Sequence, residues 1–277
     1  MNRNFRQLLE AQWDNNKFLC VGLDTDIAKI PESATEMNTR ETIVAFNRAI
    51  VDATKDVASA YKFNSAFYET HSDEGWEALR ESIAYILDTI GSIPVILDAK
   101  RGDIDNTNRA YAESAFDHLR VDAITVHPYL GAETFGDFLS RPEKGTIVVC
   151  RTSNRGASEF QDLKIDSESL YKVVARHVND SWNKNGNCGL VVGATYPEEL
   201  KEVRAIVGDM PLLIPGIGAQ GGDIEKTVRA GRDSRGRGMI ISAARSIIYA
   251  SSGKDFAGAA ALEAKRLDSA IREALLQ

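Results

Sequence analysis

The sequence predicts a closed (β/α)8 TIM barrel that forms a single domain. Eight short apolar runs recur along the chain, and amphipathic, helix-like stretches separate most of them. Continuous apolar runs that alternate with helices are typical of a parallel sheet covered on both faces. Eight such units within 277 residues fit a closed barrel better than an open sheet.

The order of the elements follows directly from this pattern. The predicted strands are Phe18–Leu23, Ser59–Phe63, Pro94–Asp98, Ala123–His127, Thr146–Arg151, Cys188–Gly193, Pro211–Pro215 and Gly238–Ser242. The predicted helices are Phe5–Asp14, Arg40–Lys55, Glu74–Thr89, Thr107–Leu119, Glu168–Asn183, Pro197–Val207, Asp223–Ala230 and Phe256–Leu275. No linker or block of charge marks a second domain, so we expect residues 1–277 to form one barrel domain with a short N-terminal helix.

Charge and cysteine content narrow the functional classes. The net charge of −7 argues against a nucleic-acid partner, which usually requires a basic face. The three cysteines are far apart and form no Cys-x-x-Cys pair, so we expect reduced thiols rather than a zinc site or a disulfide. The sequence has neither a signal-peptide core nor an apolar run of membrane-spanning length. We therefore expect a cytoplasmic protein with no membrane partner.

A barrel also predicts where functional residues lie. Active sites of this fold are built at the C-terminal ends of the strands and in the loops that follow. The polar candidates at those places are Asp24, Lys62, Asn64, Asp98, Lys100, Asp103, His127, Arg151, Thr152, Ser153 and Arg245. The acidic and lysine side chains among them follow the first three strands, which predicts that they cluster.

Asp98, Lys100 and Asp103 form the most informative group. Asp98 and Lys100 are two residues apart at the end of an apolar strand, so their side chains should point the same way. Asp103 follows in the next turn. Two carboxylates around one ammonium fit a structural ion pair or a catalytic site, and the spacing alone leaves both open.

A glycine-rich loop follows the seventh predicted strand. Gly216, Gly218 and Gly221 match a dinucleotide fingerprint formally, but no acidic residue ends a strand about 20 residues later, as that fingerprint requires. The loops after strands seven and eight of a barrel often bind phosphate, and Arg245 would supply a cation there. A plain glycine turn beside a surface arginine is the alternative.

The histidine at the end of the fourth strand and the search for metal-binding motifs give weaker indications of function. His127 lacks an evident nucleophile or carboxylate partner in the sequence, so we interpret it as a hydrogen-bonded wall residue rather than a base. No motif with metal-ligand spacing occurs, and we predict no metal and no cofactor.

The run from Asp98 to Thr107 resembles the Asp-x-Lys-x-x-Asp signature of the orotidine 5′-phosphate decarboxylases, particularly their longer bacterial form. The resemblance extends over essentially the whole chain. It implies that Lys100, Asp98, Asp103 and Lys62 form the catalytic group. It also implies substrate contacts from Asp24 to the ribose, from Ser153 to the pyrimidine, and from Gln220 and Arg245 to the phosphate.

The resemblance further implies a homodimer whose active sites are shared across the interface. Asp103, Ile104 and Thr107 would reach into the site of the partner subunit. One departure is Arg155, because relatives often have proline before glycine after the Ser-Asn pair. The loop from Gly231 to Gly238 has no assigned role.

The implied reaction is the cofactor-independent decarboxylation of orotidine 5′-phosphate to uridine 5′-phosphate in pyrimidine biosynthesis. The first alternative is a metal-dependent phosphosugar lyase of the same superfamily, similar to hexulose-phosphate synthase. Those enzymes place an acidic metal ligand at the end of strand two, where this chain has Lys62. The second alternative is a non-catalytic phosphosugar-binding barrel, which would not need the charged residues of strands two and three.

Overall fold

All eight predicted barrel strands are present. The computed structural model describes residues 3–217 and 222–277. Its strands are β1 (Leu19–Gly22), β2 (Ala58–Asn64), β3 (Val95–Arg101), β4 (Ala123–Val126), β5 (Gly145–Arg151), β6 (Lys164–Ile165), β7 (Glu168–Ser169), β8 (Cys188–Val192), β9 (Leu212–Pro215) and β10 (Met239–Ala243). The parallel barrel closes in the order β1-β10-β9-β8-β5-β4-β3-β2, and β6 and β7 form a separate antiparallel pair. The fold class predicted from the sequence is confirmed.

Helices surround the barrel. They are α1 (Phe5–Asp14), α2 (Thr39–Thr54), α3 (Ala66–Glu69), α4 (Ser72–Thr89), α5 (Asp105–Ala112), α6 (Gly136–Leu139), α7 (Leu170–His177), α8 (Pro197–Val207), α9 (Ile224–Gly231), α10 (Arg245–Ile248) and α11 (Phe256–Leu275). The π-helical segments Glu113–His118 and Val178–Trp182 continue α5 and α7. Among the described residues, no helix has the length and apolarity needed to cross a membrane.

The start of α7 differs from the prediction of a helix over Glu168–Asn183. Asp166 and Ser167 have φ angles of 48° and 72°, so the chain makes a left-handed two-residue turn between β6 and β7. The backbone twist of such a turn matches the right-handed twist of the two strands that it joins in a hairpin. The N–H of Leu170 then donates to the carbonyl of Leu163 at 2.8 Å, and α7 begins only at Leu170.

Helix α1 covers the N-terminal end of the barrel. Phe5 packs so closely on β5 that a Cβ atom at Gly145 would lie 2.3 Å from its ring, which explains the glycine. The indole of Trp13 donates to the carbonyl of Met239 at 2.8 Å. Below them, the guanidinium of Arg3 pairs with the fully buried carboxylate of Asp122 at 2.7 Å. This end of the barrel is therefore closed by packing and by a buried ion pair.

Arg204 anchors the Gly231–Gly238 loop, for which the sequence predicts no role. Its buried guanidinium donates to the carbonyls of Gly208, Met210, Gly231 and Gly238 at distances between 2.6 and 2.8 Å. Burial lowers the pKa of Arg204 to about 10, although nearby acidic groups oppose this. The Gly231–Gly238 loop is thus held at both of its ends, on the face of the barrel where β10 begins.

Candidate active site

Lys62 lies at the centre of a charged group at the C-terminal ends of the first three strands. Its Nζ atom is 3.2 Å from Oδ1 of Asp24 and 3.1 Å from Oδ2 of Asp98. Its side chain is only 5% exposed. Burial disfavours the ammonium, but the two carboxylates outweigh that effect and hold the pKa of Lys62 above its ordinary value. The side chain is therefore a fixed positive charge.

Asp98 joins this buried lysine to Lys100. Its Oδ1 atom accepts from Nζ of Lys100 at 2.7 Å and from Oγ1 of Thr125 at 2.8 Å. Burial of the carboxyl would raise its pKa, but the two ammonium groups and these hydrogen bonds hold the pKa of Asp98 well below its usual range. Asp98 is therefore ionised at any physiological pH.

Lys100 is the accessible cation of the group. Its side chain is 48% exposed, compared with 12% for Asp98. Its backbone has a φ of 47°, a left-handed conformation that is unfavourable for residues other than glycine. The pairing of β3 with β4 also shifts between Leu97 and Arg101. This bulge carries β3 three residues beyond the strand end predicted at Asp98.

These side chains line a cavity of about 330 Å³. The predicted site residues that line it are Asp24, Lys62, Asp98, Lys100, Ser153 and Arg245. The apolar part of the wall comes from Val191, Leu213 and Ile217. A cavity that combines a charged group, an arginine and apolar surface suits a planar ligand that also carries an anion.

Other parts of the cavity wall come from the loops after β5, β9 and β10. Ser153 packs so closely on Gly193 that a Cβ atom there would lie 2.1 Å from its Oγ atom. Gly216 has a φ of 111°, which favours glycine at the point where its loop borders the cavity. Arg245 begins α10. Gln220, the other predicted phosphate contact, lies outside the described residues.

Asp103, Ile104 and Thr107 lie apart from this cavity. Asp103 accepts from the N–H of Ile104 at 2.8 Å, and its own N–H donates to Oδ1 of Asn108 at 2.9 Å. The ion pairs of residues 3–217 and 222–277 include none with Asp103. Ile104 is 55% exposed, and Thr107 is also exposed. Within one subunit, Asp103 therefore does not hold Lys100, and its action across an interface stays a prediction.

Two other strand-end candidates also face away from the cavity. His127 donates its N–H to the carbonyl of Arg101 at 2.9 Å, and its ring packs on Gly102. Arg151 is buried, with its guanidinium 4.4 Å from the ring centre of Tyr196 and 3.3 Å from Asp162. Neither side chain lines the cavity, so the prediction that His127 is a wall residue of the site is not supported.

Comparison with known proteins identifies the family. The model of the orotidine 5′-phosphate decarboxylase / HUMPS family matches residues 17–260. This chain belongs to that family. The match confirms the resemblance predicted from the run Asp98–Thr107.

The similarity of this decarboxylase-family chain to individual proteins spans almost its full length. It is 52% identical over 257 residues to the orotidine 5′-phosphate decarboxylase of Ralstonia nicotianae, covering 92% of this chain and 93% of that protein. The solved structure of Leishmania donovani OMP decarboxylase is 38% identical, with a TM-score of 0.82 and coverage of 96% and 99%. Leishmania donovani UMP synthase is 40% identical, with a TM-score of 0.85. The match covers 98% of this chain but only 57% of that longer one.

Two residues of this family member were missed by the sequence reasoning. Thr125, on β4, contacts both Asp98 and Lys100. Gln161 holds the loop after β5: its Oε1 atom accepts from the N–H of Thr152 at 2.8 Å, and its Nε2 atom donates to Oγ1 of Thr152 at 2.9 Å. Thr125 could have been noticed as a hydroxyl within an apolar strand, whereas nothing in the sequence connects Gln161 with Thr152.

Proposed function

We propose that this chain converts orotidine 5′-phosphate into uridine 5′-phosphate and CO2 without a cofactor, as a step of pyrimidine biosynthesis. The observation that carries the proposal is the position of the Asp98 carboxylate. It lies 3.1 Å from the ammonium of Lys62 and 2.7 Å from that of Lys100, in the wall of the cavity that Arg245 also lines. A fixed row of charges of this kind suits a reaction whose intermediate needs electrostatic stabilisation.

Lys100 is the proposed source of both charge and proton. When the bond between C6 of the pyrimidine and the carboxylate carbon breaks, the electron pair stays on C6 in the plane of the ring, where the π system does not delocalise it well. The accessible ammonium of Lys100 stabilises this carbanion and then transfers a proton to C6. CO2 leaves, and the amine regains a proton from solvent.

Asp98 aims that ammonium through their hydrogen bond. Because its carboxylate remains ionised, it also repels the carboxylate of a bound substrate, and this repulsion is relieved as CO2 forms. Lys62 prevents the two neighbouring carboxylates, Asp24 and Asp98, from repelling each other. Asp24 is also proposed to bind the ribose hydroxyls, with Lys62 nearby.

The remaining cavity residues are proposed to hold the two ends of the nucleotide. Ser153 binds the pyrimidine, and Arg245, with Gln220, binds the phosphate. Arginine suits this role because its planar fork of donors matches phosphate oxygens. Binding energy from the phosphate, far from the reacting carbon, then helps to orient the pyrimidine against Lys100.

The metal-dependent alternative within the same family is less well supported. In the described part of the chain, no group of three or more His, Cys, Asp and Glu side chains is placed to hold a metal ion. Moreover, Lys62 neutralises both carboxylates that a divalent cation would need in this cavity. A cation bound beside that ammonium would be repelled.

We further propose that the functional unit is a homodimer with shared sites. The support is the position of Asp103, Ile104 and Thr107, which lie outside their own cavity and next to one another at the start of α5. A large apolar side chain that is 55% exposed, such as Ile104, is suited to an interface. A two-fold axis would complete both sites at once.

A cytoplasmic location is proposed as well. Cys20, Cys150 and Cys188 are all buried and unpaired by disulfides, which suits a reducing compartment.

The proposed function is tested by following the ultraviolet absorbance of orotidine 5′-phosphate in the presence of purified protein, with and without EDTA. We expect conversion to uridine 5′-phosphate at the same rate in both samples. Conversion that EDTA abolishes and magnesium restores would contradict the proposal that the reaction needs no cofactor. No conversion under either condition would reject the decarboxylase function.

A further inference from the structure

Thr125 connects the backbone of Lys100 to the side chain of Asp98. It is fully buried on β4. Its Oγ1 atom accepts from the N–H of Lys100 at 2.9 Å and donates to Oδ1 of Asp98 at 2.8 Å. The same Oδ1 atom accepts from Nζ of Lys100 at 2.7 Å. One hydroxyl thus closes a ring of hydrogen bonds that begins and ends at Lys100.

The backbone at Lys100 needs such support. Its left-handed φ of 47° is unfavourable for a residue with a Cβ atom. The irregular pairing advances four residues on β3, from Leu97 to Arg101, and two on β4, from Ile124 to Val126. The N–H of Lys100 lies within this irregular stretch and donates to the hydroxyl of Thr125. Strained conformations persist where the surrounding structure fixes them, often at functional sites.

We propose that Thr125 is a positioning residue for the decarboxylation described above. Its hydroxyl fixes the left-handed backbone of Lys100 and, at the same time, the Asp98 oxygen that aims the Lys100 ammonium. This inference rests on the proposed function. It adds a residue that is not expected to touch the substrate, since Thr125 does not line the cavity.

Thr146 provides a matched control for the loss of a buried hydroxyl. It lies on β5 next to β4, it is fully buried as Thr125 is, and its register partner on β4 is Ile124. Its Oγ1 atom has no hydrogen-bond partner among the described residues. Replacing either threonine by valine conserves the side-chain shape, but only the change at Thr125 removes hydrogen bonds to the charged group.

The experiment compares Thr125→Val, Thr125→Ser and Thr146→Val with wild type in steady-state turnover of orotidine 5′-phosphate. For Thr125→Val we expect kcat to fall about 10- to 100-fold, as for loss of hydrogen bonds that involve charged groups. KM and the dissociation constant of uridine 5′-phosphate should change less than about threefold, because the binding groups remain. Thr125→Ser should retain kcat to within about threefold, and Thr146→Val should match wild type.

The separation of kcat from ligand binding distinguishes positioning from a purely structural role. A purely structural role would lower Tm while the folded, ligand-binding fraction kept its normal kcat, and that result would overturn the inference. Equal losses in Thr125→Val and Thr125→Ser would overturn it too. If Thr125→Val does not fold, Thr125→Cys replaces it, since a thiol of similar size is a weak donor and acceptor. An inactive wild type would instead reject the proposed function.

Discussion

The Nζ atom of Lys100 lies 2.7 Å from Oδ1 of Asp98, although the backbone between the two residues bulges. The pair therefore meets through side chains that leave one residue largely buried and the other half exposed. A buried carboxylate beside an accessible ammonium is an asymmetric pair. Replacing one member of the pair should therefore have a different effect from replacing the other.

Removal of the accessible ammonium should affect turnover far more than binding. For Lys100→Ala we expect kcat to fall by more than about 10⁴-fold, because one group supplies both electrostatic stabilisation and the proton. KM should change much less and can even decrease, since the neighbouring groups remain. Lys55→Ala, which removes an exposed lysine paired with Asp52 on the outer surface, is the matched control. A kcat near the wild-type value would remove Lys100 from the catalytic role.

Arg245 should act on the phosphate end of the substrate. For Arg245→Ala we expect a loss of about 2–5 kcal/mol in kcat/KM, seen mainly as a higher KM, if the contact is a desolvated charge pair. A substrate analogue without phosphate should be affected little by the same change. Steady-state kinetics with both substrates measures the difference. Equal losses for the two would show that Arg245 supports the fold instead.

The low pKa of Asp98 predicts an acid-dependent loss of stability. In an unfolded chain an aspartate has a pKa of about 3.9, whereas the folded protein keeps Asp98 ionised at lower pH. Its contribution is therefore complete above the unfolded pKa and declines as the pH falls through that value towards the folded pKa. The raised pKa of Lys62 acts in the opposite direction, so its contribution declines only at alkaline pH.

Urea unfolding of wild type and Asp98→Asn between pH 2.5 and 6 tests this linkage. Near pH 3, wild type should take up about one more proton on unfolding than the variant, a slope difference of about 1.4 kcal/mol per pH unit. Asp117→Asn, which alters a half-exposed carboxylate paired with Arg141, should show a smaller difference in slope. Parallel curves for wild type and Asp98→Asn would contradict the prediction.

Shared active sites predict complementation between inactive subunits. Lys100→Ala and Asp103→Ala should each be inactive as homodimers. In a mixed dimer, one site carries both defects and the other carries neither. Random exchange should therefore restore about one quarter of the wild-type activity per total site. A mixture that stays inactive after exchange has been verified by mass spectrometry would place the function of Asp103 within its own subunit.

The sequence was sufficient to predict the barrel because its strands are mainly apolar and its helices are amphipathic. It was also sufficient to predict that Asp24, Lys62, Asp98 and Lys100 lie close together, since the ends of neighbouring parallel strands meet at one edge. The predicted proximity of Asp98 and Lys100 is matched by their contact, but the irregular backbone at Lys100 means that regular side-chain alternation is not its cause.

Other features depend on contacts between distant parts of the chain. The bulge at Lys100 and its bond to Thr125 join residues 25 positions apart, and no local pattern predicts them. The hairpin before α7 was missed because its turn residues, Asp166 and Ser167, are also acceptable near a helix start. The proposed role of Asp103 depends on a second subunit, which a single sequence does not display.

The buried pair between Arg3 and Asp122 has a practical consequence for engineering. Because it fixes Arg3 against the end of the barrel where β4 begins, Arg3 lies on the side opposite the cavity mouth, and a tether joined there would approach from that side. An immobilised enzyme built in this way would present its open face to the surrounding solution. Diffusion of a nucleotide to the site would then be unobstructed by the support.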